Sequence, residues 1–157
     1  MTADPARATA SESPDPDARL HGLIGYTVKR VSAAMMADAA RVLDPHGLRV
    51  TTFSALAVIC DAPDITQSAL AQALAMERSN IVVIIDKLEE AGLIARHRMD
   101  GDRRAYALRA TLKGLRRRDA ALAALMVNEE GQLAALTATE RVQLSALLRR
   151  IRTGDLT

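Results

Sequence analysis

The sequence predicts a mainly α fold of the α+β kind, six helices arranged around one short β-hairpin. Three observations predict it. Apolar residues recur at threes and fours through most of the chain, the period of a helix with one buried face. The apolar set is almost wholly aliphatic: of 157 residues 49% are hydrophobic, and the aromatics are only Tyr26, Phe53 and Tyr106. A core of Ala, Leu, Val, Ile and Met suits packed helices better than a sheet sandwich. Finally, Asp100-Gly101 opens a tight polar turn, 100–104, between two short strand-like runs, 93–99 and 105–110, and Asp-Gly in that setting is a hairpin signal. The length suffices for one domain with a sizeable core.

Residues 1–17, rich in Pro, Ser, Ala and Asp and without apolar periodicity, read as a disordered tail, leaving 18–157 as a single domain. From Leu20 the helical pattern begins, with Leu23, Ile24, Val28, Val31, Met35, Val42 and Leu43 apolar, and Pro45 stops it. Thr51 or Thr52 is the expected cap of a second helix running to about Cys60, with Phe53, Leu56 and Ile59 on one face. Thr66 then caps a short helix over 67–74, and Ala75-Met76 connects it tightly to the next, 77–91. That helix buries Ile81, Ile84, Ile85 and Leu88 and ends at Gly92, the place a C-cap glycine prefers. After the hairpin, Thr111 starts a long helix to about Ala135, and Thr137 caps a last one over 138–152. No internal repeat is visible.

Composition excludes several function classes. No apolar run reaches the roughly 18 residues that span a bilayer, and the N-terminus lacks the apolar segment of a signal peptide. A single cysteine, Cys60, excludes an internal disulfide framework. Together these point to the cytoplasm. The three histidines, His21, His46 and His97, are scattered, and no cluster has metal-ligand or catalytic-triad spacing; no cofactor, metal or enzymatic activity is expected. The formal net charge of +2 hides an asymmetry, because residues 1–17 carry one Arg against four acids while 76–118 carry eleven Lys or Arg against six acids. A local basic block suits a polyanionic partner.

A short amphipathic helix followed by a basic hairpin describes a winged helix-turn-helix, here over about 48–111, and makes double-stranded DNA the expected partner. At 100° per residue the helix 77–91 turns Ser79, Val83, Asp86, Lys87 and Glu90 away from its apolar side. Asn80 and Val82 lie on its flanks, and Arg78 can swing around. Asn pairs with adenine through two hydrogen bonds, and a valine methyl packs on a thymine methyl. Hydroxyls at helix starts, Ser68 and Ser79, can hold phosphate. Arg103 and Arg104, at or just past the hairpin tip, suit a narrow minor groove or the flanking backbone, with Asp102 bracing the turn. The helices at the two chain ends, about 19–43 and 112–152, have broad apolar stripes that predict a homodimer.

Several segments resemble the MarR family, the multiple-antibiotic-resistance type transcriptional regulators, over about residues 20–152. LDPHGLRVTTFSALAVI is similar to that family's second-helix entry, with Phe53 and Leu56 in place. ITQSALAQALAMERSNIVVIIDKLEEAGLIAR is similar to its helix-turn-helix, ending in the D-x-L-E-x-x-G-L-I-x-R pattern from Asp86 to Arg96. DGDRRAYALRAT is similar to its wing, with Asp102, Arg104 and Thr111 matching and Ala110 in place of leucine. Where the family often has Thr-Arg in mid recognition helix this chain has Val82-Val83, which shifts the expected reading to Arg78, Asn80 and Lys87. The resemblance implies a homodimeric repressor on a pseudo-palindromic operator, released by a small aromatic or phenolic effector or by an oxidant. It implies an effector site between the dimerisation helices and the DNA-binding lobe, where Tyr26, Arg30 and His46 are the candidates. Cys60, on an apolar stripe without a basic neighbour in sequence, reads as an inert thiol. The competing reading is a winged-helix protein-interaction or architectural module without operator specificity, and the Val82-Val83 pair is its support.

Overall fold

The computed structural model describes residues 16–99 and 102–153, excluding the side chains of 99, 102–105 and 153. The tail expected over 1–17 therefore lies almost wholly outside the described residues. Contacts divide the chain into two units, residues up to Ala34 and residues from Met35 onward. In the first, a 3-10 turn over Ala18–Leu20 precedes helix α1, Ile24–Leu43, whose residues from Met35 onward belong to the second unit. The expected helix start at Leu20 is thus corrected: Leu20 belongs to the separate 3-10 turn. Asp17, assigned to the tail by composition, accepts hydrogen bonds from the Tyr26 hydroxyl and, at 2.7 Å, from Arg30 Nη1.

The second unit is built on α2 (Val50–Asp61), α3 (Gln67–Ala73) and α4 (Arg78–Glu90), then a hairpin, then α5 (Leu112–Gln132) and α6 (Ala138–Thr153). Its core joins Leu43, Leu56, Ile59, Leu70, Ile81, Ile85, Leu88 and Leu108, all fully buried. Pro45 does not simply stop the chain's helical path; it sits in a 3-10 turn, Asp44–His46, closed by Gly47 at φ +65°. The N-cap of α2 is Arg49 and neither threonine, but Thr52 serves the cap from the N3 place of a capping box. The helix starts at Val50, and Thr52, one turn inside, accepts the Arg49 N–H at 2.8 Å and donates to the Arg49 carbonyl at 3.0 Å.

The sheet has three strands, not two. A short β1, Ile65–Thr66, pairs antiparallel with β3 (Asp102–Ala110), which pairs with β2 (Ile94–Met99), in the order β1-β3-β2. Thr66 both closes β1 and caps α3, its hydroxyl accepting the Ala69 N–H at 3.2 Å. Gly92, at φ +68°, ends α4 in a Schellman motif: its N–H reaches the Glu89 carbonyl at 2.8 Å, and the Leu93 N–H reaches Leu88 at 2.9 Å. The Thr111 hydroxyl accepts the Gly114 N–H at 3.0 Å, capping α5, and donates to the Gly92 carbonyl at 2.8 Å. There α5 passes so close to the wing base that a Cβ on Gly114 would lie 2.0 Å from the Leu93 oxygen. Thr137 and Glu140 form a reciprocal capping box at the start of α6.

Candidate nucleic-acid interface

α3 and α4 are bent by 111° relative to one another across a tight connection, the angle of a helix-turn-helix. The turn is made by Ala75, an alanine in the left-handed region at φ +50°, and the Met76 N–H closes it on the Ala71 carbonyl at 2.9 Å. With Leu70 and Ala71 of α3 buried against them, Ile81, Ile84, Ile85 and Leu88 of α4 all point inward, as the 100° spacing predicts. The opposite face is exposed: Arg78, Ser79, Asn80, Val82, Val83, Asp86 and Lys87, with Val83 at 52% and Val82 at 38% exposure. Ser68 is exposed on the first turn of α3. Glu77 is the N-cap of α4, but its side chain makes no capping bond; its carbonyl accepts the Asn80 N–H at 3.1 Å.

The wing is attached to this helix by an ion-pair clamp that the sequence reading did not single out. Arg96 of β2 donates Nη1 to Glu89 and Nη2 to Asp86 of α4, and its backbone N–H reaches Glu89 Oε1 at 3.2 Å. Its side chain is only 24% exposed. The hydrogen bond to Asp86 does most to raise the Arg96 pKa above its ordinary value. Asp86, placed by helical spacing on the outward face, is therefore engaged by the wing. The signal was present in the D-x-L-E-x-x-G-L-I-x-R pattern, which contains both ends of the clamp. A second fork has no sequence signal, since its partners lie 45 residues apart: Arg109 of β3 donates to both carboxylate oxygens of Asp64, at 2.5 and 2.7 Å. Arg109 holds the Asp64 carboxyl below the usual carboxylate range, chiefly through that hydrogen bonding.

The hairpin register runs from Ile94 opposite Ala110 to Arg98 opposite Tyr106, then shifts so that Met99 faces Asp102. The strand after the turn thus begins at Asp102 and not at Ala105. Arg103 and Arg104 lie in the irregular start of β3 rather than in a free loop, and their side chains, like that of Asp102, fall outside the described residues. Arg98 and Tyr106, paired across the strands and both exposed, add a cation and an aromatic to the wing face that the sequence reading passed over.

Of the three effector candidates, two fall in the first unit and one in the second. Tyr26 and Arg30 belong to the first unit, where Arg30 Nη1 lies 3.3 Å from the Tyr26 hydroxyl, both bound to Asp17, with His21 stacked on the Tyr26 ring at 6.0 Å. His46 belongs to the second unit and lines a groove with residues of α5. Cys60 is half-buried, and burial pushes its thiol pKa up. Among the described residues no three His, Cys, Asp or Glu are grouped to hold a metal, and no single helix is long and apolar enough to cross a membrane.

A family model described as the MarR family matches residues 46–105. A Thauera aromatica protein named for transcriptional regulation of the hcr operon is 37% identical over 95 residues, 60% of this chain and 57% of that protein. The chain thus spans little more than half the length of that curated relative. Solved structures match over far more. A MarR-family transcriptional regulator from Rhodococcus sp. RHA1 superposes with a TM-score of 0.79 at 30% identity, over 84% of this chain and 94% of that one. CouR from Rhodococcus jostii RHA1 matches in two states. Bound to p-coumaroyl-CoA it gives a TM-score of 0.76 at 31% identity, over 84% and 93% of the two chains. Bound to a 23-mer DNA duplex it gives 0.84 at 29% identity, over 89% and 99%. Helix-turn-helix, clamped wing and near-complete structural correspondence together establish that this chain belongs to the MarR family of transcriptional regulators.

Proposed function

We propose that this protein is a sequence-specific, effector-released repressor that binds a pseudo-palindromic operator as a homodimer. The observation that carries this reading is the outward face of α4, where Arg78, Ser79, Asn80 and Val83 are exposed together while Arg96 holds the wing beside them. Asn80 and Val83 are assigned to base edges, Arg78 and Lys87 to bases or adjoining phosphates, and Ser68 and Ser79 to phosphate oxygens. Val82 packs at the groove wall. Arg103 and Arg104 carry the wing to the minor groove or backbone. CouR, which shares this architecture, binds a DNA duplex.

Dimerisation is assigned to α1, α5 and α6. Among the described residues of α6 none is buried, and Val142, Leu147 and Ile151 are 71, 53 and 69% exposed. α5 leaves Met126 and Val127 at 57 and 70%, and α1 leaves Ile24 and Val31 at 75 and 51%. Apolar exposure on this scale marks an interface. The effector is assigned to the aromatic or phenolic acids or their coenzyme A thioesters, since CouR binds p-coumaroyl-CoA; Tyr26, Arg30 and His46 remain the candidates to contact it. The protein acts by binding, without catalysis, in the cytoplasm. Fluorescence anisotropy on a labelled palindrome from the protein's own promoter tests this. Binding that p-coumarate or p-coumaroyl-CoA reverses supports the reading. Equal binding to any duplex, unaffected by either compound, supports the architectural alternative instead.

A further inference from the structure

The residues at the start of α4 do not account for a cluster of cations beside α5 in the second unit. A groove of about 490 Å³ is lined by His46, Leu112, Lys113, Arg116, Arg117 and Ala120. Arg117 Nη1 donates to the His46 carbonyl, and Lys113 Nζ donates to the Ala91 carbonyl at 2.7 Å. These bonds fix both cations without neutralising them, because the acceptors are uncharged. Arg116 is exposed. A smaller hollow of about 130 Å³ adjoins at Gly47 and Ala91 and adds Arg49 and Lys87. Among the described residues, no carboxylate lines either space. Four other arginines of this unit are paired with acids: Arg41 with Asp38, Arg96 with Asp86 and Glu89, Arg109 with Asp64, and Arg118 with Asp61. Of the cations lining the two spaces, the four not assigned to DNA, Lys113, Arg116, Arg117 and Arg49, gather around concavities without an acid and repel one another unless an anion joins them.

We propose that this groove binds the phosphate groups of the effector, and that the effector is therefore an organic thioester with a nucleotide tail of the coenzyme A type, not a free acid. This rests on the effector-released reading above and names the ligand's chemistry. The volume lies within the range of small-molecule sites. Guanidinium forks suit phosphate oxygens, and Leu112 and Ala120 supply an apolar wall. Position argues against DNA as the occupant. Lys113 is bonded at Ala91, the C-cap of α4, which is eleven residues and roughly 16 Å along the helix from Asn80. The groove, which Lys87 does not line, is therefore at the opposite end of α4 from Arg78, Ser79 and Asn80. The Lys113 bond also suggests how occupancy is felt: a phosphate that draws the ammonium into the groove takes it from the C-terminal end of the recognition helix.

The test uses the full chain and two probes, coenzyme A and adenosine 3′,5′-bisphosphate, by titration calorimetry. Operator affinity is read in parallel by anisotropy without ligand. Arg116→Glu is the informative variant, because Arg116 is exposed and reversal of its charge disturbs none of the bonds described above. Both probes are expected to bind the wild type. Arg116→Glu should weaken them by about tenfold or more, with operator affinity within about twofold of wild type. Arg116→Lys should retain most of the binding. Absence of probe binding to the wild type at millimolar concentration overturns the proposal, as does unchanged binding in Arg116→Glu. If operator affinity falls tenfold in Arg116→Glu while probe binding does not change, the groove is a DNA-backbone contact and the proposal is again overturned. A wild type that binds its operator but neither probe removes this inference alone; one that binds the probes but no operator removes the repressor reading instead.

Discussion

Ala75 and Asp64 both hold left-handed backbone, at φ +50° and +67°, and chemistry treats them differently. For alanine that conformation costs about 1–2 kcal/mol, while glycine there adds roughly 0.5–1 kcal/mol of unfolded-chain entropy. Ala75→Gly is expected to raise stability by up to about 1 kcal/mol, read as a higher urea midpoint. A lower midpoint would mean that the alanine methyl itself supports the turn. Asp tolerates the left-handed region and here uses it to present its carboxylate to Arg109. Because its folded pKa is depressed, its contribution is present above the ordinary aspartate range and is lost as pH falls through the lowered value. Asp64→Asn should therefore flatten the loss of stability below about pH 4, and an unchanged acid limb would remove the fork from the account. Neither residue was legible in sequence. A positive φ at a non-glycine residue leaves no composition signal, and an ion pair between residues 64 and 109 is made only by the pairing of β1 with β3. By contrast Ile81, Ile84, Ile85 and Leu88, and with them the exposure of Asn80 and Val83, follow from helical period alone.

At the scale of elements, two of the contacts that join recognition helix, wing and α5 can be tested singly. Arg96→Ala should leave Asp86 and Glu89 unpaired and loosen the wing. The partners are 57 and 38% exposed, so screening keeps the stability loss on the order of 1 kcal/mol. Operator affinity should fall more than stability does, and Arg96→Lys should rescue it only partly because lysine lacks the fork. A variant with wild-type affinity would show that the wing holds its place without the clamp. Gly114→Ala sets a methyl 2.0 Å from the Leu93 oxygen, and α5 must shift; a loss of about 1–3 kcal/mol is expected by thermal or chemical melting. In the wing, Arg103→Ala and Arg104→Ala should each reduce the log-log salt slope of DNA binding by about 0.9 if they contact phosphate. The helices were legible because caps and apolar stripes are local. The two-residue β1 was not, since Ile65-Thr66 is too short to show a period. The strand start at Asp102 was not, because Asp-Gly marks a turn but not where pairing resumes.

For the whole molecule, the apolar faces left on α1, α5 and α6 call for a second copy. Sedimentation at micromolar concentration should show a species of twice 16.9 kDa; a persistent 16.9 kDa species would contradict the dimer. Dimerisation was legible only as broad stripes at the chain ends, because stripe width cannot say whether a helix closes its own core or meets a partner. The basic groove was not legible at all: His46 lies some 70 residues before the α5 cations. The central claim is sequence-specific reading by α4, and a competition titration of the promoter palindrome against random duplex at fixed salt tests it most directly. The wild type should prefer the palindrome by about 10³-fold or more. Asn80→Ala should lose on the order of 1–3 kcal/mol of specific binding, Val83→Ala less, with non-specific binding nearly unchanged. A wild type with no preference for the palindrome would contradict the claim, and a preference that both variants keep in full would contradict its assignment to Asn80 and Val83.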